Sequence, residues 1–97
     1  MEGDAAIQLD HRAQWLKAAG QYHEMALSLR DAGDAFAVSE RPEQAFDCFV
    51  RATQSLSASG AKELARETAQ RAKDTAERLT DPAYAERAAI LLEGVKK

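Results

Sequence analysis

Apolar side chains recur along this chain at steps of three and four residues, the period of a helix with one face turned to a core. The pattern is clearest from Tyr22. Met25, Ala26, Leu29, Ala32, Gly33 and Phe36 continue its stripe, while Leu27, Ala35 and Val38 lie beside it. Apolar positions on two faces predict a helix with neighbours on both sides, an interior member of a stacked array. A first segment carries Ala6, Leu9, Ala13 and Leu16, and a third carries Ala45, Phe46, Phe49, Ala52 and Leu56. The fourth has Ala61, Leu64, Ala65, Ala72, Ala76 and Leu79 on one side. On its other side Glu67→Arg71 and Asp74→Arg78 stand in the favourable i, i+4 order of a solvated face. The fifth presents Tyr84, Ala88, Leu91, Leu92 and Val95 on a broad apolar face.

Helix breakers divide these segments at Gly20, Arg41-Pro42, Gly60 and Asp81-Pro82. Proline suits the first position of a helix, where its missing N–H had no partner anyway. Asp81 reads as an N-cap whose carboxylate accepts from the first turn. Gly20 suits the left-handed residue that ends a helix, and Ser59 or Gly60 is expected to cap the helix that follows. The reading is all-α, one domain over 1–97, with five helices at about 4–19, 21–39, 42–57, 60–79 and 82–95. Turns this short fold sequential helices into antiparallel hairpins.

Composition agrees, because alanine, leucine, glutamate, glutamine and arginine dominate and β-branched residues are few. With alanine supplying most of the core, helices can approach closely while each contact buries little area. A net charge of −3 with interleaved signs argues against nucleic acid, which asks for a concentrated basic face. The single cysteine, Cys48, has no internal partner and favours a reducing compartment. No apolar run approaches the roughly 20 residues of a spanning helix, and Met-Glu-Gly-Asp-Ala-Ala-Ile lacks the basic and apolar regions of a signal peptide. Cytoplasmic location is the expectation.

The two prolines stand 40 residues apart, which prompts a repeat comparison. From Leu29 to Ala52, Leu29, Gly33, Phe36, Ala45, Phe49 and Ala52 resemble one tetratricopeptide repeat. In it Gly33 and Ala45 are small where two helices cross, and Phe36 and Phe49 fill the space beside the crossing. Asp31-Ala-Gly-Asp-Ala-Phe36 followed by Pro42-Glu-Gln-Ala-Phe-Asp-Cys-Phe-Val-Arg-Ala52 looks more specifically like the arrays of the soluble NSF attachment proteins. Gly20-Gln-Tyr-His-Glu-Met-Ala26 resembles the turn and second-helix start of a preceding hairpin, and Ala85 takes the place of Ala45 in a degenerate following one. The resemblance implies a short TPR-like, right-handed array, closest in look to these SNAP-like repeats, and a protein-binding role. Attachment proteins are much longer arrays, so their work as SNARE-disassembly adaptors does not transfer to this piece alone. Carboxylate-clamping relatives use lysine, arginine and asparagine on the first helix; Arg30, Asp31 and Asp34 stand here, and two of these would repel a carboxylate.

No residue set for catalysis stands out, and the expectation is a non-enzyme without cofactor or metal. His11 and His23 lie on different segments and read as surface or packing histidines, since zinc needs three or four ligands. Cys48, in an alanine- and phenylalanine-rich segment, reads as a small buried hydrophobe. Trp15 sits beside the first stripe, either packing near Tyr22 or serving as a binding anchor. Leu91, Leu92 and Val95 have no following helix to cover them, so this end is expected to meet another chain or to continue a longer array. The leading function is therefore a protein–protein adaptor or scaffold, with Arg30, Asp34 and Val38 lining the groove of the second and third helices. Trp15 and the Leu91/Leu92 end are the alternative contact surfaces, the latter through a possible homodimer. The alternatives are a vesicle-trafficking ATPase cofactor of the NSF attachment protein kind and a purely structural, self-assembling helical domain.

Overall fold

A computed structural model describes the backbone of residues 2–18 and 22–96 and the side chains of 4–12 and 23–95. Among these residues the chain forms α1 (Glu2–Ala18), α2 (Tyr22–Val38), α3 (Pro42–Ala58), α4 (Lys62–Ala76) and α5 (Pro82–Lys96), with no strand. Gly20 and its capping role fall outside the described residues. Each helix packs on the one before it, and α3 also touches α5. The result is a slab of 35 × 35 × 17 Å, two helices thick. Cross-links sort the layers. Arg51 of α3 reaches Asp10 of α1 at 3.2 Å, and the Phe46 and Tyr84 rings of α3 and α5 meet edge to face at 5.1 Å. In the second layer Arg71 of α4 reaches Asp34 of α2 at 2.8 Å. Among the described residues no helix is long and apolar enough to cross a membrane.

The core follows from small residues. Ala6, Ala32, Ala45, Ala72 and Ala88 are fully enclosed beside Phe36, Phe46 and Phe49. A second group joins Ala26, Leu56, Ala65, Ala69 and Val95. Where α2 crosses α3, Gly33 lies directly against the Phe49 ring; a Cβ there would stand 2.6 Å from Cε1. The helices are thus as close as a backbone without side chain permits. Threonines complete the seams without orphan hydroxyls. Thr53 donates to the Phe49 carbonyl, Thr68 to Leu64 and Thr75 to Arg71, each four residues back at 2.7–2.8 Å.

The turns explain the helix ends. Pro42 opens α3 at its first position, and Arg41 before it lies outside the helical region at φ −121° and ψ 68°. Asp81 Oδ1 accepts from the Ala83 N–H at 2.9 Å, as an N-cap should. Gly60 acts differently from expectation. With φ at +83° it closes α3, its N–H donating to Ser57 and the Ala61 N–H to Leu56, and α4 starts after Ala61 without a side-chain cap. The Ser59 hydroxyl likewise turns back to Leu56. The same closure ends α2, where the Arg41 N–H donates to Phe36, but there Glu40 occupies the left-handed position at φ 61°. α4 stops at Ala76 rather than near 79, because Arg78 and Leu79 bond three residues back in tightening turns that still deliver Leu79 to the core.

Two stability measurements follow. Gly33→Ala forces the buried Phe49 ring aside and is expected to cost about 1–3 kcal/mol in chemical denaturation; combining it with Phe49→Leu recovers part of that loss, whereas simple additivity would refute the contact. Glu40→Gly removes a left-handed side chain and is expected to stabilise by about 0.5–1 kcal/mol, the relieved strain less the extra freedom of the unfolded chain.

Candidate binding surfaces

Arg30, Asp34 and Val38 are spaced four residues apart on α2, and the middle one, Asp34, is engaged by α4. Asp34 accepts from Arg71 Nη1 at 2.8 Å, and Arg71 Nη2 holds Glu67 at 2.8 Å. One arginine therefore spends both terminal nitrogens tying α4 to itself and to α2. The other expected surface pair is absent: Asp74 accepts from Gln70 at 3.0 Å, while Arg78 turns across to the Ala37 carbonyl at 3.4 Å. Arg30 reaches only its neighbour Asp31, at 3.5 Å, and its buried Nε has no partner. Val38, at the end of the line, is 63% exposed.

Burial holds the Asp34 carboxyl above its ordinary value of 3.8, against the pull of Arg71 and with Asp31 and Glu67 adding to the rise. The folded chain thus binds this proton more readily than the unfolded one. The group's stabilising effect is complete below 3.8 and is lost as pH climbs through the raised folded value. Cys48 behaves similarly. It is buried, and burial, reinforced by Asp10, pushes its thiol up to about 12. That is opposite to the lowered value an attacking thiolate needs. His11 and His23 are both exposed, and no group of three metal-ligating side chains forms among the described residues.

The C-terminal helix carries the more open surfaces. Leu91 and Leu92 are half-buried rather than free: Leu91 packs on both main core groups and Leu92 on the second. Val95 is buried. The exposed large apolar residue of α5 is Ile90, at 73%, on the side of the helix away from Ala88 and Val95. The periodicity that assigns Tyr84, Ala88, Leu91 and Val95 to the core puts Glu86 and Glu93 at the centre of the opposite face and Ile90 on its α3 side, a signal legible only once the buried side is fixed. On one flank of α5, a groove of about 350 Å³ against α4 is floored by Ala76, Ala85, Ala89 and Leu92 and rimmed by Lys73, Glu77 and Glu93. On the other flank, a groove of about 430 Å³ runs between α3 and α5 past Gln54, Ser57, Ile90 and Gly94. It continues into a recess of about 210 Å³ beside Val50 and Arg87. Trp15 lies in α1, but its side chain and that of Tyr22 fall outside the described residues.

No family model, curated protein or solved structure matches the chain.

The raised Asp34 carboxyl gives a pH test. Asp34→Asn keeps an oxygen for Arg71 and should leave the melting temperature at pH 7 unchanged or slightly raised. As pH falls toward 3.8 the balance should shift in favour of the wild type. A variant that loses ground at pH 7 and regains it in acid would show the ion pair, not burial, to dominate.

Proposed function

We propose that the chain is a non-catalytic protein–protein interaction module, an adaptor or scaffold, working through its C-terminal helix. The observation that carries this reading is the exposed Ile90 in the wall of one of two grooves that flank α5. Specific interfaces combine a desolvated apolar centre with a polar rim, and Lys73, Glu77 and Glu93 supply such a rim here. The α2 line is the weaker surface, because Asp34 is already engaged by Arg71. A tetratricopeptide-like, SNAP-like origin is part of the proposal and rests on Leu29, Gly33, Phe36, Ala45, Phe49 and Ala52 alone. The buried, unpaired Cys48 supports a reducing, cytoplasmic setting.

Light scattering after size exclusion, over a dilution series, separates an adaptor from a self-assembling domain. The adaptor predicts a monomer of 10.6 kDa at every concentration. It also predicts that Ile90→Glu weakens a captured partner by about tenfold or more, while Val38→Glu leaves it bound. Leu91→Glu is a poor probe because Leu91 belongs to the core. A dimer that dissociates on dilution and is abolished by Ile90→Glu would replace the adaptor by the assembly reading. Capture that depends on Val38 alone would move the interface to α2.

A further inference from the structure

We infer that the groove between α3 and α5 takes an amphipathic helix from a partner protein, bearing a carboxylate near that helix's C-terminal end. The inference rests on the interaction-module reading above and specifies its occupant.

The Phe46–Tyr84 contact at one end, and Ser57, Ala58 and Gly94 lining one groove at the other, show that α3 and α5 run in the same direction. α3 and α5 approach each other closely at few points, so a trough opens along their length. From Val50 to Ala58 it spans about 12 Å, some two helical turns. Its sides are Val50, Ile90 and Leu91, and Gly94 leaves its far end open, with nothing within 4 Å of where a Cβ would stand. A trough of this length between parallel helices suits a third helix presenting apolar residues on successive turns.

Charge then selects the chemistry. Arg87 is the one formally charged side chain lining the groove and its recess among the described residues. Its guanidinium is held over the Phe46 ring at 5.0 Å and near the Tyr84 ring at 5.9 Å. Aromatic rings fix a guanidinium in place without neutralising it. Arg87 enters none of the ion pairs of the described residues. A positioned, unneutralised arginine at one end of an apolar trough is complementary to a carboxylate that it can hold by two parallel N–H···O bonds. A helix laid antiparallel to α3 and α5, as sequential helices lie in this array, brings its C-terminal end to Arg87. There the negative end of its dipole and its carboxylate are both matched.

The test uses the full chain and a short helical peptide with leucines on successive turns and a glutamate in the last turn, alongside a twin with lysine in place of glutamate. Amide shifts in two-dimensional NMR report where each binds, and fluorescence anisotropy reports how tightly. The expected result is that the glutamate peptide moves Gln54, Ile90 and Gly94 and binds about tenfold tighter than the lysine twin, a gap typical of one charge-assisted pair. Arg87→Glu should reverse the preference. Gly94→Leu, which fills the trough from an open position and should keep the fold, should abolish binding of both. Equal affinity for the two peptides, shifts confined to the α4–α5 groove or the α2–α4 face, or no shift at all would overturn the inference. So would shifts of the same amides with protein concentration alone, which would seat a second copy in the trough. If the peptides fail while Ile90→Glu still releases a captured partner, only the occupant is wrong and the interaction module stands. If Ile90→Glu also has no effect, both fall.

Discussion

At the crossing of α2 over α3 the Gly33 backbone rests against the Phe49 ring, and no atom can be added between them without displacing a buried aromatic. That distance governs much else. It lets Ala32 and Ala45 close the seam on either side of the glycine, and it seats Phe36 and Phe46 within the same core group. The central helix α3 then has one face committed to α2 and another left for α4 and α5. In a core where alanine supplies most of the contacts, a few rings must fill the remaining volume, and their positions fix the register of the array. Dense interiors tolerate little slack.

Electrostatics add alignment rather than depth. Arg71 ties α2 to α4 through Asp34, and Arg51 bridges Asp10 to Asp47 across α1 and α3. These are partly exposed pairs, individually worth little. Their geometric content is greater, because each links alternate helices within one layer, where apolar contact is sparse. The aromatic pair Phe46–Tyr84 does the same for α3 and α5 without charge, and Arg87 covers it from outside.

The fold was legible wherever a residue has only one good use. Pro42 and Asp81-Pro82 announce helix starts, and the α2 and α3 stripes reproduce the observed core. Legibility fails where one residue type has two. Gly60 serves the end of α3 instead of the start of α4, a choice made by the sign of its φ and invisible in its identity. Glu40 sits left-handed although its side chain gives no hint of it; the closing hydrogen bonds of α2 impose the conformation. Thr68 and Thr75 look polar in a periodicity count, yet they are buried with their hydroxyls bonded to the preceding turn. For the candidate surfaces, the spacing of Arg30, Asp34 and Val38 was readable, but the engagement of Asp34 by Arg71 was not. Nor was Ile90, whose exposure depends on how α3 and α5 diverge.

The sparse junction between α5 and its neighbours has one further meaning. In a structure held by nearest-neighbour contacts, stability is passed along the row, and a helix that packs sparsely, as α5 does on α3, draws less from its neighbours. Local opening is cheapest where packing is sparse. Whatever fills the flank of α5 gives it a further partner beside α4 and α3, so its amide hydrogens exchange more slowly and the tightening propagates to both. Recognition at this end and cohesion of the whole slab are then thermodynamically linked.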